Sequence, residues 1–136
     1  MASIREVNMD ISAVPQGWTL AAAFSTDMKG LGMPGLMDSL FNITDRDTKI
    51  HKVGSVSKID NLYMLFVKES SYDAPTWSAL EESLTKLANK VVKKGVKKLA
   101  MPRICSGKNG FLWGDVCDMI EDIFHDVDVE IMICYK

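Results

Sequence analysis

The chain has 136 residues, 47% of them hydrophobic and 25% charged, which suits one domain, 1–136, with a buried core. A formal charge of −2 offers no basic face for a phosphate backbone, so nucleic acid is disfavoured as the main partner, while a small nucleotide stays open. Three cysteines and two histidines without ligand spacing fit reduced thiols, not a disulfide frame or a metal site, and no apolar run has signal-peptide or membrane-spanning length. The expectation is a soluble, cytoplasmic monomer without metal or cofactor.

In chain order, "SIREVNM" alternates Ile4, Val7 and Met9 with polar residues, and "WTLAAAF" is a short apolar run that stops at Ser25, so both read as strands. In "STDMKGLGMPGLMDSLF", Gly30, Gly32 and Gly35 punctuate a loop, and Leu36, Met37, Leu40 and Phe41 carry helical spacing. The polar "NITDRDTKIHK" reads as a surface connection. "VGSVSKIDNLYMLFV" reads as a hairpin turning near Asp60 and Asn61, and its second arm is apolar throughout, as in a central strand covered on both faces.

The segment "DAPTWSALEESLTKLANKVVKK" predicts a helix: Leu80, Leu84, Leu87 and Val91 share a face, acids and Pro75 lie near its start, lysines near its end, and Gly95 stops it. "VKKLAM" follows as a strand, "WGDVCDMIEDIFHD" puts Val116, Ile120, Ile123 and Phe124 on one helical face, and "VDVEIMICY" alternates as a last strand. Strands interleaved with helices imply an α/β layer sandwich, mostly parallel toward the C-terminus.

Two loops carry the chemistry. Gly30 to Gly35 satisfies G-x-G-x-x-G, but the acids about 20 residues onward, Asp45 and Asp47, lie in a polar stretch and not at a strand end, so a dinucleotide fingerprint is disfavoured. What remains is an anion loop, in which glycines let backbone N–H groups approach a ligand beside a helix N-terminus. "CSGKNG" is a second such loop between a strand and a helix, and it is not a Walker loop, because Pro102 stands where the first glycine belongs. Two ordinary strand-to-helix turns would share this spacing.

The run "LAMPRICSGKNGFLW" with the following "VCDMIEDIF" and "VEIMICY" resembles the C-terminal third of macrodomains, whose pattern here is "MPRIGCGLDGL.W". The likeness is to the branch containing the terminal ADP-ribose protein glycohydrolase and the ADP-ribose 1''-phosphate phosphatases. "VNMDI" resembles the family's "V.GD[IL]" start, "STDMKG" its polar stretch before the first glycine loop, and "LYMLFVKES…APTW" its "IYYLITK…KPTY". The resemblance implies a three-layer α/β/α macrodomain fold with a mixed central sheet. It also implies that the protein binds ADP-ribose or a derivative, with ADP-ribosylated macromolecules as further partners.

By the same resemblance, Asp10 takes the adenine amino group beside the Ile11 backbone, with a turn-capping aspartate as the alternative. Gly30, Leu31 and Gly32 hold the diphosphate and distal ribose from one side, with Ser25 and Asp27 near. Ile104, Cys105, Ser106, Gly107, Lys108, Asn109 and Gly110 close from the other. Lys68 matches the lysine that attacks the anomeric carbon, although a lysine at a strand end is also commonly a solvated edge charge. Asn109 stands where the glycohydrolase has its acid and base, and an amide cannot exchange a proton near neutral pH, a loss of about 10²–10⁴-fold in rate. The expectation is therefore a hydrolase of an ADP-ribose derivative, foremost an ADP-ribose 1''-phosphate phosphatase with Lys68 and Asn109 at the reacting group. The alternatives are a mono-ADP-ribosyl glycohydrolase using Lys68 and a non-catalytic reader.

Overall fold

The structure, a computed structural model, describes residues 2–27, 33–46, 50–107 and 110–136, without the side chains of 33, 34, 45 and 46. Six strands form one sheet: β1 (Ser3–Asn8), β2 (Thr19–Ser25), β3 (Val56–Ile59), β4 (Leu62–Lys68), β5 (Lys98–Pro102) and β6 (Glu130–Tyr135). Their order is β1-β6-β5-β2-β4-β3, with every neighbouring pair parallel except the antiparallel β3 and β4. The exception follows from chain length, because two residues, Asp60 and Asn61, can turn a hairpin but not cross over the sheet. Asp60 takes a positive φ of 51° at that turn.

Helices cover both faces, as the sandwich and mixed-sheet expectations require. On one side α3 (Trp77–Lys94) and α4 (Trp113–Ile123) bury Leu80, Leu84, Leu87, Val91, Val116 and Ile120 against Leu65, Leu99, Met101 and Ile131. On the other, α1 (Met33–Phe41), the one-turn α2 (Ile43–Arg46) and a short 3₁₀ helix (Ile11–Ala13) place Met37, Ile43 and Ile11 on Ala22, Met64, Phe66 and Met132. The six residues Leu62 to Val67 are all buried, since alternate side chains enter the two cores.

Five local expectations change. Gly35, expected in the glycine loop, lies within α1, which begins at Met33. The polar 42–52 segment contains α2, whose Ile43 is fully buried; Thr44 donates from N and Oγ1 to the Asp38 carboxylate at 2.7 and 2.8 Å and holds it there. Of the residues whose spacing predicts α1, Leu40 is 45% exposed, while Met37 takes the core position. The start of α3 is capped by Thr76, whose Oγ1 accepts from Ala79 N at 3.2 Å, and neither Asp73 nor Pro75 is the cap. The last strand begins at Glu130, not Val127, because the chain turns at 124–126, where Val127 N donates to Phe124 O, and Val129 N then donates to Val127 O and not to a neighbouring strand.

Candidate functional site

The parallel strands β1, β6, β5, β2 and β4 all end on one edge of the sheet, where open α/β sheets form ligand crevices. At about 4.8 Å per neighbour, four steps separate the β1 end from the β4 end by roughly 19 Å. Asp10 and Ile11 follow β1, Ser25 ends β2 and Asp27 follows it, Lys68 ends β4, and Ile104 to Gly107 with Gly110 follow β5. The fold thus brings these candidates to one rim. Gly30, Leu31, Gly32, Lys108 and Asn109 lie outside the described residues.

At the β2/β4 end a register shift sets Ser25 opposite Lys68. Thr26 N donates to Lys68 O at 2.9 Å and Asp27 N to Glu69 O at 3.0 Å, which continues the pairing past both strands. The Asp27 carboxylate accepts from buried Ser25 Oγ at 2.5 Å on one oxygen and from Ser71 N at 3.2 Å on the other. Ser71 O in turn accepts from Lys68 Nζ at 3.1 Å. A single residue, Ser71, therefore links the carboxylate to the amine. Nothing in the sequence pattern singled it out; its setting in "ESSYD" signals only a turn.

The β5 loop is folded tightly on itself. Cys105 adopts a positive φ of 56°, Phe111 N donates to Cys105 O at 2.7 Å, and Ser106 Oγ donates to Arg103 O at 2.8 Å. A Cβ on Gly110 would fall 2.1 Å from Cys105 O, so this close approach admits only glycine. Burial pushes the Cys105 thiol up to about 12, with the nearby Lys68 charge opposing the rise, so the sulfur is a thiol at neutral pH. Ile104 is buried in the core, which leaves its backbone as the part that can meet a ligand.

At the far end, Asp10 caps the 3₁₀ helix, its Oδ1 accepting from Ser12 N at 3.0 Å and Ser12 Oγ at 2.8 Å. These bonds, the backbone one foremost, lower its pKa and keep it ionised. The capping role anticipated as an alternative is thus present. Both bonds fall on one oxygen, and Oδ2 has no partner among the described residues. The Ile11 side chain is core, so its backbone alone is open to a site role.

Arg103 opens the β5 loop and is clamped: it donates through Nε to Glu6 Oε1 at 3.0 Å, its NH2 lies 2.9 Å from the same oxygen, and its guanidinium lies 4.3 Å from the Tyr135 ring centroid. Trp113 Nε1 donates to that oxygen at 2.9 Å, which ties the loop's two ends to β1. Among the described residues no group of three or more His, Cys, Asp or Glu side chains is placed to hold a metal ion.

No family model matches the chain. It is 30% identical to the human protein named ADP-ribose glycohydrolase OARD1, over 96% of this chain and 90% of that one. Among solved structures it superposes on the macrodomain of Thermus aquaticus DarG with a TM-score of 0.83 at 17% identity, covering all of both chains. The Trypanosoma brucei macrodomain, solved in complex with ADP-ribose, superposes with a TM-score of 0.70 at 12% identity, over 98% of this chain and 64% of that one. Its strand order, its two helical layers and a relative of this identity over nine-tenths of its length place the chain in the macrodomain family, on the side of the ADP-ribose glycohydrolases.

Proposed function

We propose that the protein binds ADP-ribose along the carboxyl edge of the sheet and hydrolyses the bond between its distal ribose and a substituent, with Lys68 as the nucleophile. The observation that carries this reading is Lys68 itself: it ends the fully buried β4, its Nζ is held by Ser71 O, and it lies beside the Cys105 loop. In support, Asp10 keeps an ionised oxygen available for an adenine amino group at the other end of the rim. The name of the human relative points to the same bond.

The amine attacks the anomeric carbon, the substituent leaves with a proton, and the lysyl adduct of the ring-opened sugar is a Schiff base that water returns to free amine and ADP-ribose. Asn109 favours a second reading, in which the substituent is a phosphate and water attacks phosphorus. Attack breaks the bond from phosphorus to the ribose oxygen, which takes up the proton that the water gives up, and an amide can hydrogen-bond the phosphate through that step although it cannot exchange a proton.

Calorimetry with ADP-ribose, followed by assays of release from ADP-ribosylated protein and of phosphate from ADP-ribose 1''-phosphate, tests both. We expect Lys68→Ala to retain ADP-ribose binding and lose about 10²-fold or more of the release rate, and Asn109→Asp to raise release from modified protein. Unchanged release in Lys68→Ala sinks the nucleophile; phosphate release alone selects the second reading; binding without turnover of either substrate makes the protein a reader.

A further inference from the structure

A groove of about 520 Å³ opens between α3 and α4, beside the rim but outside it. Trp77 and Phe111 form its aromatic wall, edge to face with centroids 4.7 Å apart, and Trp77 is 41% exposed. Met119 and Ile123 continue the apolar surface.

Four exposed carboxylates border it, Glu81 from α3 and Asp115, Asp118 and Asp122 from α4. The three aspartates are spaced three and four residues apart, so like charges adjoin on one helix face and disfavour the helix. Asp115 is compensated by its place in the first turn of α4; Asp118 and Asp122 are not. Among the described residues no Lys, Arg or His forms an ion pair with any of the four, whereas Glu82 on the neighbouring helix face pairs with Lys86. The complement to an exposed indole among four unpaired carboxylates is a cation with a flat or apolar body.

We propose that this groove docks a basic polypeptide segment, an arginine lying across Trp77 with its methylenes toward Met119 and its guanidinium among the carboxylates. Arginine suits the place because its planar head stacks on aromatic rings and pairs with carboxylates two bonds at a time. A nucleic acid strand would bring phosphates to the same carboxylates and is repelled. Phe111 directly follows Gly110 of the β5 loop, so a chain seated in the groove runs past the candidate site. The docking surface goes beyond the ADP-ribose reading and does not depend on it.

The test is a titration of the isotope-labelled protein by a short capped peptide alternating glycine and arginine, followed by amide and indole chemical shifts. We expect shifts centred on Trp77 and residues 111–123, an affinity about tenfold or more weaker in Asp118→Asn/Asp122→Asn, loss of binding in Trp77→Ala, and weakening with salt. A matched glutamate peptide and an oligothymidylate should leave these signals in place. The proposal is overturned by no shift at the groove, by equal affinity in the double variant, or by an oligothymidylate that binds there. Because the two aspartates are exposed and make no ion pair, the double variant keeps the fold while removing the charge.

Discussion

Lys68 ends β4 at the rim, with its Nζ held by Ser71 O. Its orientation was not legible in the sequence, because the groups that set it come from residues 25, 27 and 71, joined by the pairing of β2 with β4. Asp27 uses both oxygens to hold Ser25 and the Ser71 peptide, and an asparagine has one acceptor where the carboxylate has two. Under the proposed reaction Asp27→Asn should lower kcat by about 10- to 100-fold through a displaced amine, with ADP-ribose affinity nearly unchanged. Steady-state kinetics beside calorimetry checks this; an unchanged kcat would remove Asp27 from the positioning of Lys68.

At the scale of elements, hydrophobic spacing marked α3 and α4 well because each buries one stripe, and Gly95 marked the end of α3 with a positive φ of 65°. Terminal details were less legible. Asp73, Pro75 and Thr76 all suit a helix start, and the choice among them rests on where the turn of residues 70–73 leaves the chain. Thr76→Ala removes the bond to Ala79 N, and urea unfolding should show a loss of about 1 kcal/mol. The hidden α2 has the opposite cause: a single buried Ile43 in a polar run has no periodicity, and only the Asp38 bonds to Thr44 reveal why a turn of helix forms there.

For the whole molecule, one sheet serves two cores, so damage to either face is felt by both. Leu84 is fully buried on the α3 side, and Leu84→Ala should cost about 2–5 kcal/mol. Circular dichroism and tryptophan fluorescence should still report one coincident transition, since β4 and β6 contribute residues to both cores. Separate transitions for the two probes would show that the layers unfold independently. The same sheet places the site candidates, because five parallel strands in the order β1-β6-β5-β2-β4 set the two ends of the rim roughly 19 Å apart.

The amino-acid sequence by itself determined the alternation of strands and helices and the continuous apolar β4, because each depends on neighbours a few residues away. It also carried the family likeness. Tertiary structure alone decided that Asp10 and Lys68 share an edge, that Ser71 joins Asp27 to Lys68, and that Trp77 meets Phe111 among four carboxylates. Those contacts join residues from separate elements, and strand order and helix packing, not local spacing, bring them within reach.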